Sequence, residues 1–245
     1  MIIEIHKFAS VTSTNDIAAE YAKDGAKEGT LIIADTQTKG RGRMGREFLS
    51  HEKSGIYMSL VLRPEFSAEN SLLITTAAAA AVAKAIEKHT AKTAKIKWVN
   101  DIYINEKKVC GILTEGKITP TGMLEYAILG IGINLTVPKG GFGKSIENVA
   151  GALFDTEDVF DKEQIVSDIL SEFSCYYENL LQKPHFEEYA SRNMLFGKKV
   201  DIIRAGVRVG EGVAGEIADD FSLCVDTENG KTKLSTGEVS VKAAE

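Results

Sequence analysis

The feature that most restricts what this chain can fold into is a change of rhythm near Phe196. From residue 197 to 242 the sequence runs in short alternating stretches, VDIIR, VRVGEGVAGEI, SLCVDT, KTKLS and VSVK, broken by Gly, Asp and Asn. A period of two means strands with one buried face, and turn residues at such short intervals suit a small all-β barrel. Upstream, longer helical and extended patterns alternate. The reading is therefore two units, residues 1–195 and residues 196–245.

In the larger unit, residues 2–8, 31–34 and 56–62 read as strands, and Thr14 or Asn15 can cap a helix running through Ile17, Ala18, Tyr21 and Ala22 to Gly25. Residues 67–89 form the longest helical pattern, rich in alanine and so suited to close packing against a neighbour. Short strands at 96–99 and 102–104 flank Asn100-Asp101, and two apolar β-rich runs, 109–114 and 124–133, are joined by Thr119-Pro120-Thr121-Gly122. Residues 162–181 form an amphipathic helix. The expected fold class is α+β: a mixed, mostly antiparallel sheet packed against helices on one side, followed by the barrel.

The 245 residues, 44% of them hydrophobic, can bury a full core. A net charge of -6 argues against a surface that attracts nucleic acid as a whole, so any anion site must be local. Cys110, Cys175 and Cys224 are odd in number and far apart, suggesting neither a disulfide framework nor a thiolate zinc site, and His6, His51, His89 and His185 form no i, i+4 pair. With no leader pattern and no apolar run of about 18 residues, the expected location is cytoplasmic, away from the membrane.

Between residues 35 and 53 periodicity stops, and a loop of that length in a compact unit usually has a function. Its centre, Gly40-Arg41-Gly42-Arg43-Met44-Gly45-Arg46, is dense in arginine and glycine. Glycines let backbone N–H groups approach a ligand, and arginines supply permanently charged forked donors, so the loop suits phosphate or carboxylate. A solvated segment that adheres to RNA has the same composition. Phe48 can stack on a ring or simply fill the core. Lys97-Trp98-Val99-Asn100-Asp101 and Lys108-Val109-Cys110-Gly111-Ile112-Leu113 place two lysines near strand ends, where they can converge on an anion or merely face solvent. Gly130-Ile131-Gly132-Ile133-Asn134 puts glycines inside a strand, a sign of close approach by a ligand or another backbone.

In this order, and over nearly the whole chain, these segments resemble the biotin–protein ligase family. VTSTND at 11–16 is similar to its STN motif, Gln37 with GRGRMGR to its arginine–glycine loop, KWVND to its KWPND, KVCGIL to its K-x-x-GIL and GIGIN to its GxGIN. The resemblance implies the biotin–lipoate ligase fold, related to class II synthetases, with a C-terminal SH3-like barrel. It implies an enzyme that activates biotin with ATP and Mg2+ to biotinyl-5′-AMP and transfers it to a lysine of a biotin carboxyl carrier domain. Biotin would be held by Ser13, Thr14, Asn15, Gln37, Gly40, Arg41, Arg43, Lys108 and Gly111. The nucleotide would be held by Arg41, Arg43, Arg46, Phe48, Lys97, Asn100 and Asn134, with Arg43, Lys97, Lys108 and Asp101 closest to the chemistry.

Three positions depart from the family pattern: Met44 stands where arginine is common, Val99 where proline is usual, and Phe48 where tryptophan is usual. Because the resemblance already begins at residues 2–16, no DNA-binding domain and no operator binding are expected. The oligomeric expectation is a monomer or homodimer. Two rivals stay open: a lipoate ligase or octanoyl transferase of the same fold, and a non-enzymatic module that binds RNA or another polyanion.

Overall fold

The computed structural model describes residues 1–155, 158–235 and 239–243, the last of these as backbone. The larger unit contains β1 (Glu4–Val11), α1 (Thr14–Lys23), β2 (Thr30–Gln37), β3 (Gly55–Leu62), α2 (Ser71–Thr90), β4 (Lys95–Lys97), β5 (Asp101–Ile104), β6 (Lys107–Ile118), β7 (Leu124–Asn134), α3 (Lys162–Tyr177) and α4 (Phe186–Ala190). Its strands form one sheet in the order β1-β2-β3-β7-β6-β5-β4. β1 and β2 pair in parallel, joined through α1, and the remaining neighbours are antiparallel. No helix among the described residues is long and apolar enough to cross a membrane.

Both faces of the sheet carry a helix, which corrects the expectation of helices on one side. Leu31, Leu60, Leu129 and Ile131 belong to the main core with α2 and α3, whereas Ile32, Val61, Tyr126 and Ile128 form a second cluster with Ala18 and Ala22 of α1. The reason lies in the strands themselves. β2, β3 and β7 are apolar at successive positions, not alternate ones, so each face needs its own cover. On the α2 side, the alanines from Ala77 to Ala81 and Ala83 are fully buried, and with only methyl groups to accommodate, the helix seats close to the sheet.

The C-terminal runs form β8 (Lys199–Arg204), β9 (Val207–Ile217), β10 (Leu223–Thr227), β11 (Gly230–Leu234) and β12 (Val239–Ala243). They pair antiparallel in the order β11-β10-β9-β8-β12, which fits the SH3-like barrel expected from their alternation. Residues 236–238 and 244–245 of the expected barrel lie outside the described residues. This sheet touches the larger unit at a meaningful place. The Trp98 indole N–H donates to the Phe221 carbonyl at 2.9 Å, and the Tyr189 hydroxyl donates to the Val99 carbonyl at 3.0 Å, so the turn between β4 and β5 is fastened from outside its own sheet.

Candidate active site

The α1 face of the sheet is open beyond the N-terminus of α1, and glycines make it so. Along β7, Tyr126 and Ile128 fill this face, and the next two residues on the same face are Gly130 and Gly132. Cross-strand register sets Tyr57, Gly132, Gly111, Asp101 and Lys97 side by side from β3 to β4. The Phe48 ring lies on this row: a Cβ built on Gly132 would come 2.7 Å from its Cε1, and one on Gly111 3.3 Å from its Cε2. A Cβ on Gly130 would meet the Asn15 side-chain oxygen at 2.1 Å. The strand glycines are therefore needed for close approach, as their place in the sequence suggests.

One end of the resulting cavity is neutral and hydrogen-bonded. The Thr14 backbone N–H and hydroxyl both donate to Gln37 Oε1, at 2.8 and 3.1 Å, and Gln37 Nε2 donates to Ser50 Oγ at 2.7 Å. Ser59, fully buried in β3, reaches Thr14 Oγ1 at 2.8 Å and Asn15 Oδ1 at 2.6 Å. Asn15 Nδ2 donates to Glu115 Oε2 at 2.8 Å. The N-cap of α1 is Ser13, one residue before the expected caps, and it makes no side-chain capping bond. Thr14 and Asn15 sit in the first turn, where their side chains serve the cavity instead of the helix end.

The other end is charged. Lys108 Nζ pairs with Asp101 Oδ1 at 2.7 Å, and Asn100 Nδ2 donates to the Ile112 carbonyl at 2.8 Å. Arg43 Nη1 donates to Asn100 Oδ1 at 3.2 Å. Burial lowers the Arg43 guanidinium from its ordinary value while nearby Asp101 opposes the shift; an arginine stays cationic under such a perturbation. Lys97 Nζ lies 5.9 Å from the centre of the Tyr103 ring. A set of this kind can hold a carboxylate and a phosphate together.

The long segment after β2 is folded back on itself, not extended over solvent. Single bridges join Gln37 to Ser50 and Arg41 to Glu47, and the Phe48 N–H donates to the Gly40 carbonyl at 2.9 Å. Gly40 is required there because a Cβ would sit 2.2 Å from the Phe48 carbonyl oxygen. Met44 and Gly45 both adopt left-handed backbone angles, φ 57° and 72°, forming the tip. The tip residue Met44 is partly exposed, and the loop walls the cavity with residues 41–44 and 46–48.

Most residues expected from sequence converge here. Ser13, Thr14, Asn15, Gln37, Arg41, Arg43, Arg46, Phe48, Lys97, Asn100, Asp101, Lys108 and Gly111 all line the cavity. Gly40 and Asn134 do not. Gly40 supports the loop from below, and the Asn134 amide donates to the Gly151 carbonyl at 3.0 Å. The Asn100 side chain is occupied by Arg43, Asp101 and Ile112. Sequence reasoning passed over Ser59, Glu115 and Asp16. A lone serine inside IYMSLVL was the available signal for Ser59, since an unpaired buried hydroxyl is costly and has to be used.

A cavity with a neutral hydrogen-bonding end and a cationic end, walled by a folded arginine–glycine loop, suits a ligand with a polar head and an anionic tail. The chain belongs to the biotin/lipoate A/B protein ligase family, whose profile matches residues 7–134. Among its relatives, the bifunctional ligase/repressor BirA of Bacillus subtilis is 38% identical over 240 residues, covering 94% of this chain and 72% of the relative. The biotin–[acetyl-CoA-carboxylase] ligase of Mycobacterium tuberculosis is 28% identical over 243 residues, covering 94% of this chain and 86% of the relative. In structure, the biotin protein ligase from Aquifex aeolicus in complex with biotin and ATP superposes with a TM-score of 0.83 at 28% identity, over 99% of this chain and 100% of that one.

Proposed function

We propose that this chain is an ATP-dependent biotin–protein ligase. Biotin's carboxylate attacks the α-phosphorus of ATP, forming a carboxyl–phosphate bond as pyrophosphate leaves. The ε-amine of an acceptor lysine then attacks the activated carbonyl carbon; an amide forms, a proton is lost from the amine and AMP departs. The observation that carries this reading is the division of one glycine-floored cavity into a neutral end and a cationic end.

The neutral end matches the ureido head of biotin, which needs both donors and acceptors. Ser13, Thr14, Asn15 and Gln37 supply them, and an unmatched polar group there costs about 1–3 kcal/mol. Lys108 and Arg43 take the biotin carboxylate, and Arg43, Lys97 and Arg46 take the phosphates, offsetting charge that builds at phosphorus. The Phe48 ring, resting on Gly132 and Gly111, is a stacking plate for the adenine. Closure of the loop over the mixed anhydride keeps water from it. Cys110 is unsuited to nucleophilic catalysis because burial pushes its thiol up, and the reaction needs no covalent enzyme intermediate.

Among the described residues no three His, Cys, Asp or Glu side chains group as a metal site. Magnesium would therefore be held mainly by the nucleotide phosphates, with Asp101 as the carboxylate at that end. The acceptor would be the carrier domain of a biotin-dependent carboxylase, and the enzyme would act in the cytoplasm as a monomer or homodimer. Residues 1–195 would carry the chemistry and residues 196–245 would brace it through the Trp98–Phe221 contact.

The test is incubation with ATP, biotin and a carrier domain, followed by mass analysis of the carrier lysine. One added biotinyl group is expected. Modification with lipoate instead would favour the lipoate ligase rival, and no modification combined with RNA binding would favour the polyanion module.

A further inference from the structure

The hydrogen bonds of the neutral end form a circuit that begins and ends on the loop above it. Arg41 reaches down to Glu115 on β6, with Nη2 2.5 Å from Oε1, and its other nitrogen Nη1 lies 2.6 Å from Asp16 Oδ1 on α1. The second oxygen of Glu115 accepts from Asn15, whose own oxygen accepts from Ser59. From Ser59, 2.8 Å from Thr14 Oγ1, the path runs through the Thr14 backbone N–H to Gln37 and on to Ser50, whose hydroxyl donates to the Phe48 carbonyl at 3.2 Å. Residues 41 and 48 are the two flanks of the arginine–glycine loop. The floor that would grip the biotin head and the loop that would cover the adenylate are thus one bonded unit.

Glu115 is where the two meet. It uses one oxygen for the loop and the other for the floor. Both bonds involve a charged acceptor, and that to Arg41 a charged donor as well, a class stronger than neutral pairs. Arg41 in turn spends both terminal nitrogens on carboxylates, so its guanidinium is a fastening for the loop in this conformation.

We propose that Glu115, assisted by Asp16, is a positioning residue that latches the arginine–glycine loop through Arg41 and fixes the Asn15 amide with the same carboxylate. Met44 is compatible with this arrangement, because the loop is fastened at its flanks and the exposed tip carries no part of the latch.

The inference rests on the ligase reading for its catalytic consequence, and one arm of its test does not. Trypsin cuts after arginine, so cleavage of the ligand-free protein at Arg43 and Arg46 reports loop closure directly. Glu115→Gln keeps size and polarity but turns an amide N–H2 toward either Arg41 or Asn15. Cleavage and biotinyl-adenylate release are each expected to rise about two- to fivefold, the scale of one lost part-exposed ion pair, and the KM for biotin to rise with them. Arg41→Met severs the same latch from the loop side and should raise cleavage and release to the same order, which keeps the proposal open to refutation if Glu115→Gln fails to fold. Wild-type rates of cleavage in a folded variant would overturn the latch. Absence of any biotin-dependent adenylate in the wild type would instead overturn the ligase reading and leave the cleavage result to judge the latch alone.

Discussion

The two faces of the seven-stranded sheet are made by the same strands and do opposite things. On the α2 face, β7 presents Ala127, Leu129, Ile131 and Ile133, all buried and all in the main core. On the α1 face it presents Tyr126 and Ile128, then Gly130, buried against Asn15, and half-buried Gly132, and with these glycines the cavity begins. Adjacent residues of GIGIN thus serve alternate purposes, isoleucine for cohesion and glycine for access. Pleat geometry alone separates the two, because successive side chains point to opposite sides. A strand can therefore carry a site without weakening the core behind it.

That contrast is broken most sharply by paired substitutions one residue apart. Gly132→Val drives a side chain into the Phe48 ring and should lower biotin-dependent adenylate formation on the order of 100-fold by displacing the plate, while leaving the melting temperature nearly unchanged. Ile133→Ala faces the core, where it should cost about 2–5 kcal/mol of stability and leave turnover by the remaining folded protein close to normal. Denaturant unfolding and single-turnover assays on both variants measure the difference. Equal effects on stability and activity would mean the faces are not independent.

A smaller effect sharpens the account of the cationic end. Arg43→Ala removes a half-buried guanidinium that donates to Asn100 and should release the adenylate roughly ten- to a hundredfold faster with the fold preserved. Unchanged retention of the adenylate, measured by quenched release, would remove Arg43 from the role assigned to it.

A further expected effect belongs to the packed side, at its seam with the C-terminal sheet. His185 is fully buried, stacks on Phe221 with ring centres 4.8 Å apart, and its Nε2 lies 2.9 Å from Thr76 Oγ1. Burial pushes its pKa down to about 4 from an ordinary 6.5. The unfolded chain therefore takes up a proton first as pH falls, so the stability this group permits is complete above about 6.5 and is lost progressively down to about 4. Urea midpoints measured across that window should fall in the wild type and fall less in His185→Phe. Equal slopes would show that His185 does not titrate in the way its burial dictates.

Legibility followed a physical divide. Elements with a strong local signal were readable: the alternation of the C-terminal strands, the alanine-rich α2, and the strand glycines that mark close approach. The segments with charged or amide groups at strand ends were readable as well, and Lys97, Asp101 and Lys108 do share a cavity with Arg43. The readings that failed or fell short depended on tertiary register. Helices on both faces follow from β2, β3 and β7 being apolar at successive positions, a run that periodicity alone does not tell from a buried helix segment. Ser59 and Glu115 become site residues only because β3, β7 and β6 pair so that Ser59, Gly130 and Leu113 stand opposite one another. Asn134 lies in a recognisable motif, yet its amide is turned to Gly151.

The central claim is that the glycine-opened face joins biotin to a nucleotide, and exchange of labelled pyrophosphate into ATP tests it most directly. Exchange should require biotin, should not be supported by lipoate, and should collapse in Gly132→Val while surviving in folded Ile133→Ala. Exchange that lipoate supports equally well, or that Gly132→Val leaves intact, would contradict the account.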